Sequence, residues 1–223
     1  MGWGIVAAWA DDRSRRTLPD QSMSDDELKA EDRKVVEALR FAAIRVDSVH
    51  DLVNSRAPHA GAIPTLIRML HEVRHPRIRE GIARALAVKE ARDVAGELVQ
   101  VFRSMPAETG PEMSAKWAVG NALAVTGSDA IVEDVVEILR DPRHGWSRAM
   151  LPLALAHAKK KRAVAVTALV ESLSDDHLAC QAADALARLK ASEAIAPLRG
   201  LTAHNNKEIQ KAARKALQRL EGR

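Results

Sequence analysis

The 223-residue chain has no tyrosine, two phenylalanines and four tryptophans, and aromatic residues make up 3% of it. Runs of β-branched residues are few as well. Strand faces are filled by those residue types, so their scarcity argues against a β-sandwich or barrel. Cys180 is the only cysteine. An intrachain disulfide is therefore impossible, which suits a reducing compartment. No stretch approaches the roughly 20 apolar residues that a membrane-spanning helix needs. The apolar run from Trp3 to Ala10 is short, and Ala8-Trp9-Ala10 imitates a signal-peptidase site without a basic segment before it. A cytoplasmic protein without a membrane partner is expected. Neither a glycine-rich phosphate loop nor a Gly-x-Ser-x-Gly elbow is present. His59, His75, His144 and His204 read as loop residues, and the histidines share no metal-ligand spacing. Cys180 has only His177 close in sequence and reads as an inert small residue of a helix. No catalytic residue, metal or cofactor is expected.

What the chain does have is apolar mass in helix-forming residues. Hydrophobic residues make up 47%, and Ala, Leu, Arg and Glu dominate. The formal charge of +4 is mildly basic and short of a nucleic-acid signature. Acidic and basic residues are interspersed, as on solvated helix faces. The local exception is Lys207 to Arg223, with six Lys/Arg against two Glu.

Self-similarity organises the rest. Ile63, Leu66, Ile67 and Leu70 form a 0, +3, +4, +7 stripe, the apolar side of an amphipathic helix. The same spacing recurs at Ala95, Leu98, Val99, Phe102, then at Val132, Val135, Val136, Leu139, and again at Val166, Leu169, Val170, Leu173. A fainter copy begins at Ile195 and Leu198. After each stripe comes a second apolar pattern ending in Ala-Leu, at Leu86, Leu123, Leu155, Leu186 and Leu217. These leucines lie 37, 32, 31 and 31 residues apart. Breaks fall at Arg74-His75-Pro76, Met105 to Pro111, Asp141-Pro142, Asp175-Asp176 and Asn205-Asn206, where Asp, Asn and Pro are helix starters. Pro152 falls inside a second helix and should bend it and free a carbonyl. A degenerate pair is expected upstream, from Val35, Ala38, Leu39, Ala42 and from Val49, Leu52, Val53.

The unit of the form Ala-Ile-Pro-x-Leu-Ile followed by Ala-Leu resembles the HEAT-repeat family, in its short bilin-lyase-like form, from about Ala62 to Leu220. The stretches His75 to Ile82, Lys116 to Leu123 and Arg143-His144-Gly145 are also similar to uncharacterised bacterial HEAT-repeat proteins. The resemblance implies an all-α fold, a right-handed α-α superhelix of five to six helix pairs. The expected units are 24–57, 62–92, 93–129, 130–162, 163–192 and 193–223. Ser24-Asp25-Asp26-Glu27 has capping-box spacing, which starts the repeat domain near residue 23. Residues 1–22 are expected to be a disordered tail, upstream of the functional start.

In such arrays the second helices line the concave face. At 100° per residue, positions 0, −1, −4 and −8 from the Ala-Leu leucine share the buried side. Positions −2, −6 and −9 point the opposite way. They are Arg84, Glu80 and Arg77 in the first unit, Asn121, Trp117 and Ser114 in the second, and Leu153, Ala149 and Trp146 in the third. The fourth gives Asp184, Cys180 and His177, and the fifth Lys215, Lys211 and Glu208. Two tryptophans thus fall on the open face of adjacent units, with Lys116 and Arg148, both at −7, beside them. The expected binding residues are Arg77, Glu80, Arg84, Lys116, Trp117, Asn121, Trp146, Arg148, His177 and Asp184.

HEAT arrays mostly bind proteins, so the expected function is a non-enzymatic adaptor or scaffold with a protein partner. The alternative is nucleic acid in the same groove, since HEAT-like alkylpurine DNA glycosylases use a groove with Trp, Asp and basic residues. His71-Glu72 resembles the His-Glu pairs of deoxyhypusine hydroxylase, an iron-dependent HEAT enzyme, yet that enzyme needs several facing pairs and this chain has one. Bilin lyase activity is implied by the repeat type alone.

Overall fold

The computed structural model describes residues 25–54, 59–106 and 110–222. The tail expected at 1–22 and the cap expected at Ser24 lie outside the described residues. Those described contain no strand and fold as helices packed together. In chain order these are α1 (Asp25–Phe41), α2 (Val49–Asn54), α3 (Ile63–Glu72), α4 (Pro76–Ala85), α5 (Ala95–Ser104) and α6 (Gly110–Thr126). They continue with α7 (Val132–Arg140), α8 (Pro152–Leu155), α9 (Arg162–Glu171), α10 (Ala179–Arg188), α11 (Ile195–Leu201) and α12 (Lys207–Glu221).

The periodic stripes explain the odd-numbered helices. Ile63, Leu66, Ile67 and Leu70 are all buried, as are their counterparts on α5 and α7. On α9 and the turn after it, Val166, Leu169 and Leu173 are buried and Val170 partly so. The even-numbered helices bury their Ala-Leu pairs and the positions four and eight residues earlier, such as Ile82 and Ile78 on α4. Each helix packs on its neighbour in the chain and on the element after it. The even helices touch in series from α2 through α4 and α6 to α8, α10 and α12, and the odd helices in series from α1 to α9. One continuous core results, running from Val35 to Leu217.

Starter residues work as sequence chemistry requires. His75 Nδ1 accepts from Arg77 N at 3.2 Å and Asp141 Oδ1 from Arg143 N at 3.0 Å. Asp175 Oδ1 accepts from His177 N at 2.9 Å and Asn206 Oδ1 from Glu208 N at 2.9 Å. Each bond satisfies a backbone donor that a helix start leaves without a partner.

The second helix of the α7 unit is not continuous. Pro142–Met150 is a 3-10 stretch with Gly145 at φ 51°, ψ −141°, and Pro152 opens the four-residue α8. Proline has no N–H to give the Arg148 carbonyl, so Leu151 N takes that carbonyl instead at 2.9 Å, a tighter turn.

Candidate binding face

α4, α10 and α12 are amphipathic, while α6 is buried over most of its surface, and the residues opposite the buried Ala-Leu stripes form the outer face. Arg77, Ser114, His177, Lys211 and Lys215 are exposed there. Glu80, Arg84, Trp117, Asn121, Leu153, Cys180, Asp184 and Glu208 are half-buried. Ala149 departs from the expectation: it is 5% exposed. The angular argument assumes 100° per residue, and the 3-10 geometry around Gly145 breaks that step.

Trp117 and Trp146 meet. Their ring centroids lie 5.8 Å apart with an interplanar angle of 10°, a stack between α6 and the Pro142–Met150 segment. Trp146, 38% exposed, is the outer ring and Trp117 the half-buried inner one. Such a stack contributes about 0.5–1.5 kcal/mol beyond the area it buries. Gly120 lets the two elements approach, because a Cβ there would sit 3.1 Å from the Ser147 carbonyl oxygen and 3.4 Å from the Phe102 ring. Trp117 Nε1 and Ser147 Oγ are both buried without a hydrogen-bond partner. The stack itself was hidden in sequence. Trp117 stands at −6 and Trp146 at −9, and only helix contact shows that this diagonal closes.

Lys116 and Arg148 do not stand on the open face. They are 1% and 4% exposed. Lys116 Nζ donates to the Met105 carbonyl at 2.6 Å, lies 3.0 Å from His144 Nδ1, and sits 4.9 Å from the Phe102 ring centroid. Arg148 donates to the carbonyls of Leu139 and Gly145 and pairs with Asp175 Oδ2 at 2.8 Å. The reason is common to both. The last carbonyls of α5 and α7 lack helical partners, and a long cationic side chain at −7 reaches back to fill that need. Gln210, the −7 residue of α12, does the same for the His204 carbonyl at 2.5 Å.

His144, read from sequence as a plain loop residue, belongs to this interior group. Its ring meets Phe102 edge-on, with centroids 5.5 Å apart at 62°. Burial holds its pKa below the ordinary value, and the Lys116 charge acts the same way, while Asp141 opposes both. A neutral His144 leaves Nδ1 free to accept from the Lys116 ammonium.

Three further candidates, Glu80, Arg84 and Asp184, are held by ordinary ion pairs. Glu80 Oε1 accepts from Arg84 Nε at 2.9 Å and Nη2 at 2.6 Å. Asp184 is covered by Arg188 at 2.7 Å and Arg219 at 2.7 Å. Burial, then Glu208 and Asp176, pushes the Cys180 thiol up, which keeps it protonated and a weak nucleophile. Glu72 is engaged by Arg68 at 3.2 Å on the exposed side of α3. Among the described residues, no three His, Cys, Asp or Glu side chains gather as a metal-ion site, and no helix is long and apolar enough to cross a membrane.

The fold and this face define an all-α protein of packed helix pairs. No family profile matches the chain and no curated protein matches it. Among solved structures, the crystal structure of an engineered protein is similar over 90% of this chain and 98% of its own, at 20% identity and a TM-score of 0.48.

Proposed function

We propose that the chain is a HEAT-like α-α superhelix that works as a non-enzymatic adaptor, holding a protein partner against the face of its even-numbered helices. The serial contacts of α2 through α12, and the recurring −7 donor that satisfies carbonyls at the preceding turn, support the repeat reading. The observation that carries the binding reading is the Trp117–Trp146 stack with its outer ring open to solvent. A tryptophan left in water exposes apolar area that a partner would cover, and tryptophan is enriched among residues that dominate interface energy.

Nucleic acid is less well supported in the same place. A base can stack on Trp146, but phosphate needs cations close by. Lys116 and Arg148, nearest in sequence to the two rings, are buried on carbonyls, and Arg84 is paired with Glu80.

The test is a pull-down from native cell extract with the full chain as bait, run with and without nuclease and repeated with Trp146→Ala. A partner that survives nuclease and is lost with the variant supports the adaptor. Recovery that depends on nucleic acid, or a partner indifferent to Trp146, contradicts it.

A further inference from the structure

Resting on the adaptor reading, we infer that the partner segment is extended, carries an apolar anchor for the Trp146 ring, and bears acidic residues about five or six positions from that anchor. Two separate features of the face require those two chemistries. The stack at the Pro142–Met150 segment offers apolar area while Lys116 and Arg148, the cations nearest to the two rings in sequence, are turned inward. The other feature is α12, where Lys211 and Lys215 are exposed on the same face, one helical turn apart, and neither is held in an ion pair among the described residues. Between them lies α10. Its acid on this face, Asp184, is already covered by two guanidinium groups and does not repel an incoming carboxylate. Glu208 is the acid on this side of α12, and Lys211 and Lys215 outweigh it.

The spacing follows from packing. Arg148 ties the Pro142–Met150 segment to Asp175 in the turn before α10, and α10 packs on both α8 and α12. Packed helices lie about 8–10 Å apart, so two steps span roughly 16–20 Å. An extended chain rises about 3.3 Å per residue and crosses that span in about five or six residues. A nucleic-acid strand fits less well, since its phosphates fall beside every stacked base, and Lys116 and Arg148 are committed to carbonyls while Arg143 is paired with Asp141.

The experiment selects a random 12-residue peptide display library on the full chain. In parallel it selects on Trp146→Ala and on the Lys211→Glu/Lys215→Glu double variant, all first shown to melt as folded proteins. Fluorescein-labelled single-stranded oligothymidylate is titrated against the same samples. The inference expects selected peptides with a Leu, Phe, Trp or Met anchor and Asp or Glu five or six positions away. Their affinity should fall at least tenfold with Trp146→Ala. It should fall about fivefold with the lysine reversals, the latter loss shrinking in high salt. Peptides that need Trp146 but show no acidic preference, or ignore Lys211 and Lys215, overturn the inference and leave the adaptor reading standing. Peptides that ignore Trp146, or the absence of any selected peptide, overturn both. Oligothymidylate that binds in a Trp146-dependent way and displaces the peptides overturns both in favour of nucleic acid.

Discussion

The α9–α12 region and the stretch from Met105 to Leu155 solve the same problem by different means. In the first, α10 is a regular ten-residue helix entered through a turn that the Asp175 carboxylate closes at His177 N, with small alanines along its buried side. Its charges stay at the surface, where Arg219 and Asp184 are 47% and 30% exposed. In the second, Gly145 and Pro152 break one helix, and two cations, Arg148 beside the break and Lys116 on the neighbouring α6, turn inside to serve carbonyls. The lesson concerns what a charged side chain signifies. Arg219 marks solvent, whereas Lys116 and Arg148 supply donors to carbonyls at the ends of the preceding helices and leave the tryptophan stack without their charge.

That contrast can be broken most directly by removing one cation from each region. Arg148→Met strips donors from the Leu139 and Gly145 carbonyls and strands Asp175, so it should cost about 3–5 kcal/mol of stability. Arg219→Ala, at an exposed pair, should cost less than about 1 kcal/mol. Urea melts of the two variants decide the matter, and equal losses would mean that Arg148 is an ordinary surface charge.

Acid should separate the regions next. Burial depresses the pKa of His144, aided by Lys116. Burial also depresses His157, against the opposing bond to the Ala124 carbonyl. Their unfolded value is about 6.5. A depressed folded pKa means that the unfolded chain binds more protons between the two values. The stability is thus fully present above about pH 6.5 and is lost as pH falls through the folded pKa values. His144→Asn keeps an acceptor for Lys116 without a titrating ring and should flatten part of that loss in thermal melts. An unaltered acid limb would show that the Lys116–His144 contact does not couple to protons.

The smallest effect sharpens the regular end. Lys190 ends α10 at φ 55°, and Ala191 N bonds the Leu186 carbonyl at 3.0 Å, a helix stop that favours glycine. Lys190→Gly should raise stability by about 0.5–1 kcal/mol. A loss there would mean that Lys190 contributes through its side chain.

The helices were legible because each depends on local periodicity and capping chemistry, as with Ile63 to Leu70 and the Asp175 and Asn206 starters. The outer positions of α4, α10 and α12 were legible for the same reason. Ala149, Lys116 and Arg148 were not. Their placement depends on carbonyls belonging to the preceding helix and on a glycine-proline break, neither of which an angular wheel contains. The tryptophan stack lay between these cases: its face was readable, while its closure needed the approach that Gly120 permits.

The central claim, an aromatic stack with one ring open on the even-helix face, is tested by acrylamide quenching. Trp3 and Trp9 are first replaced by Phe, and Trp117 or Trp146 is then left as the sole fluorophore, with Phe or Ala at the other site. Trp146 should be quenched readily. Trp117 should be quenched weakly in the Trp146→Phe background, where a ring still covers it, and more strongly in the Trp146→Ala background. Poor quenching at both sites, unchanged by the Ala substitution, would place both rings in the core and contradict the claim.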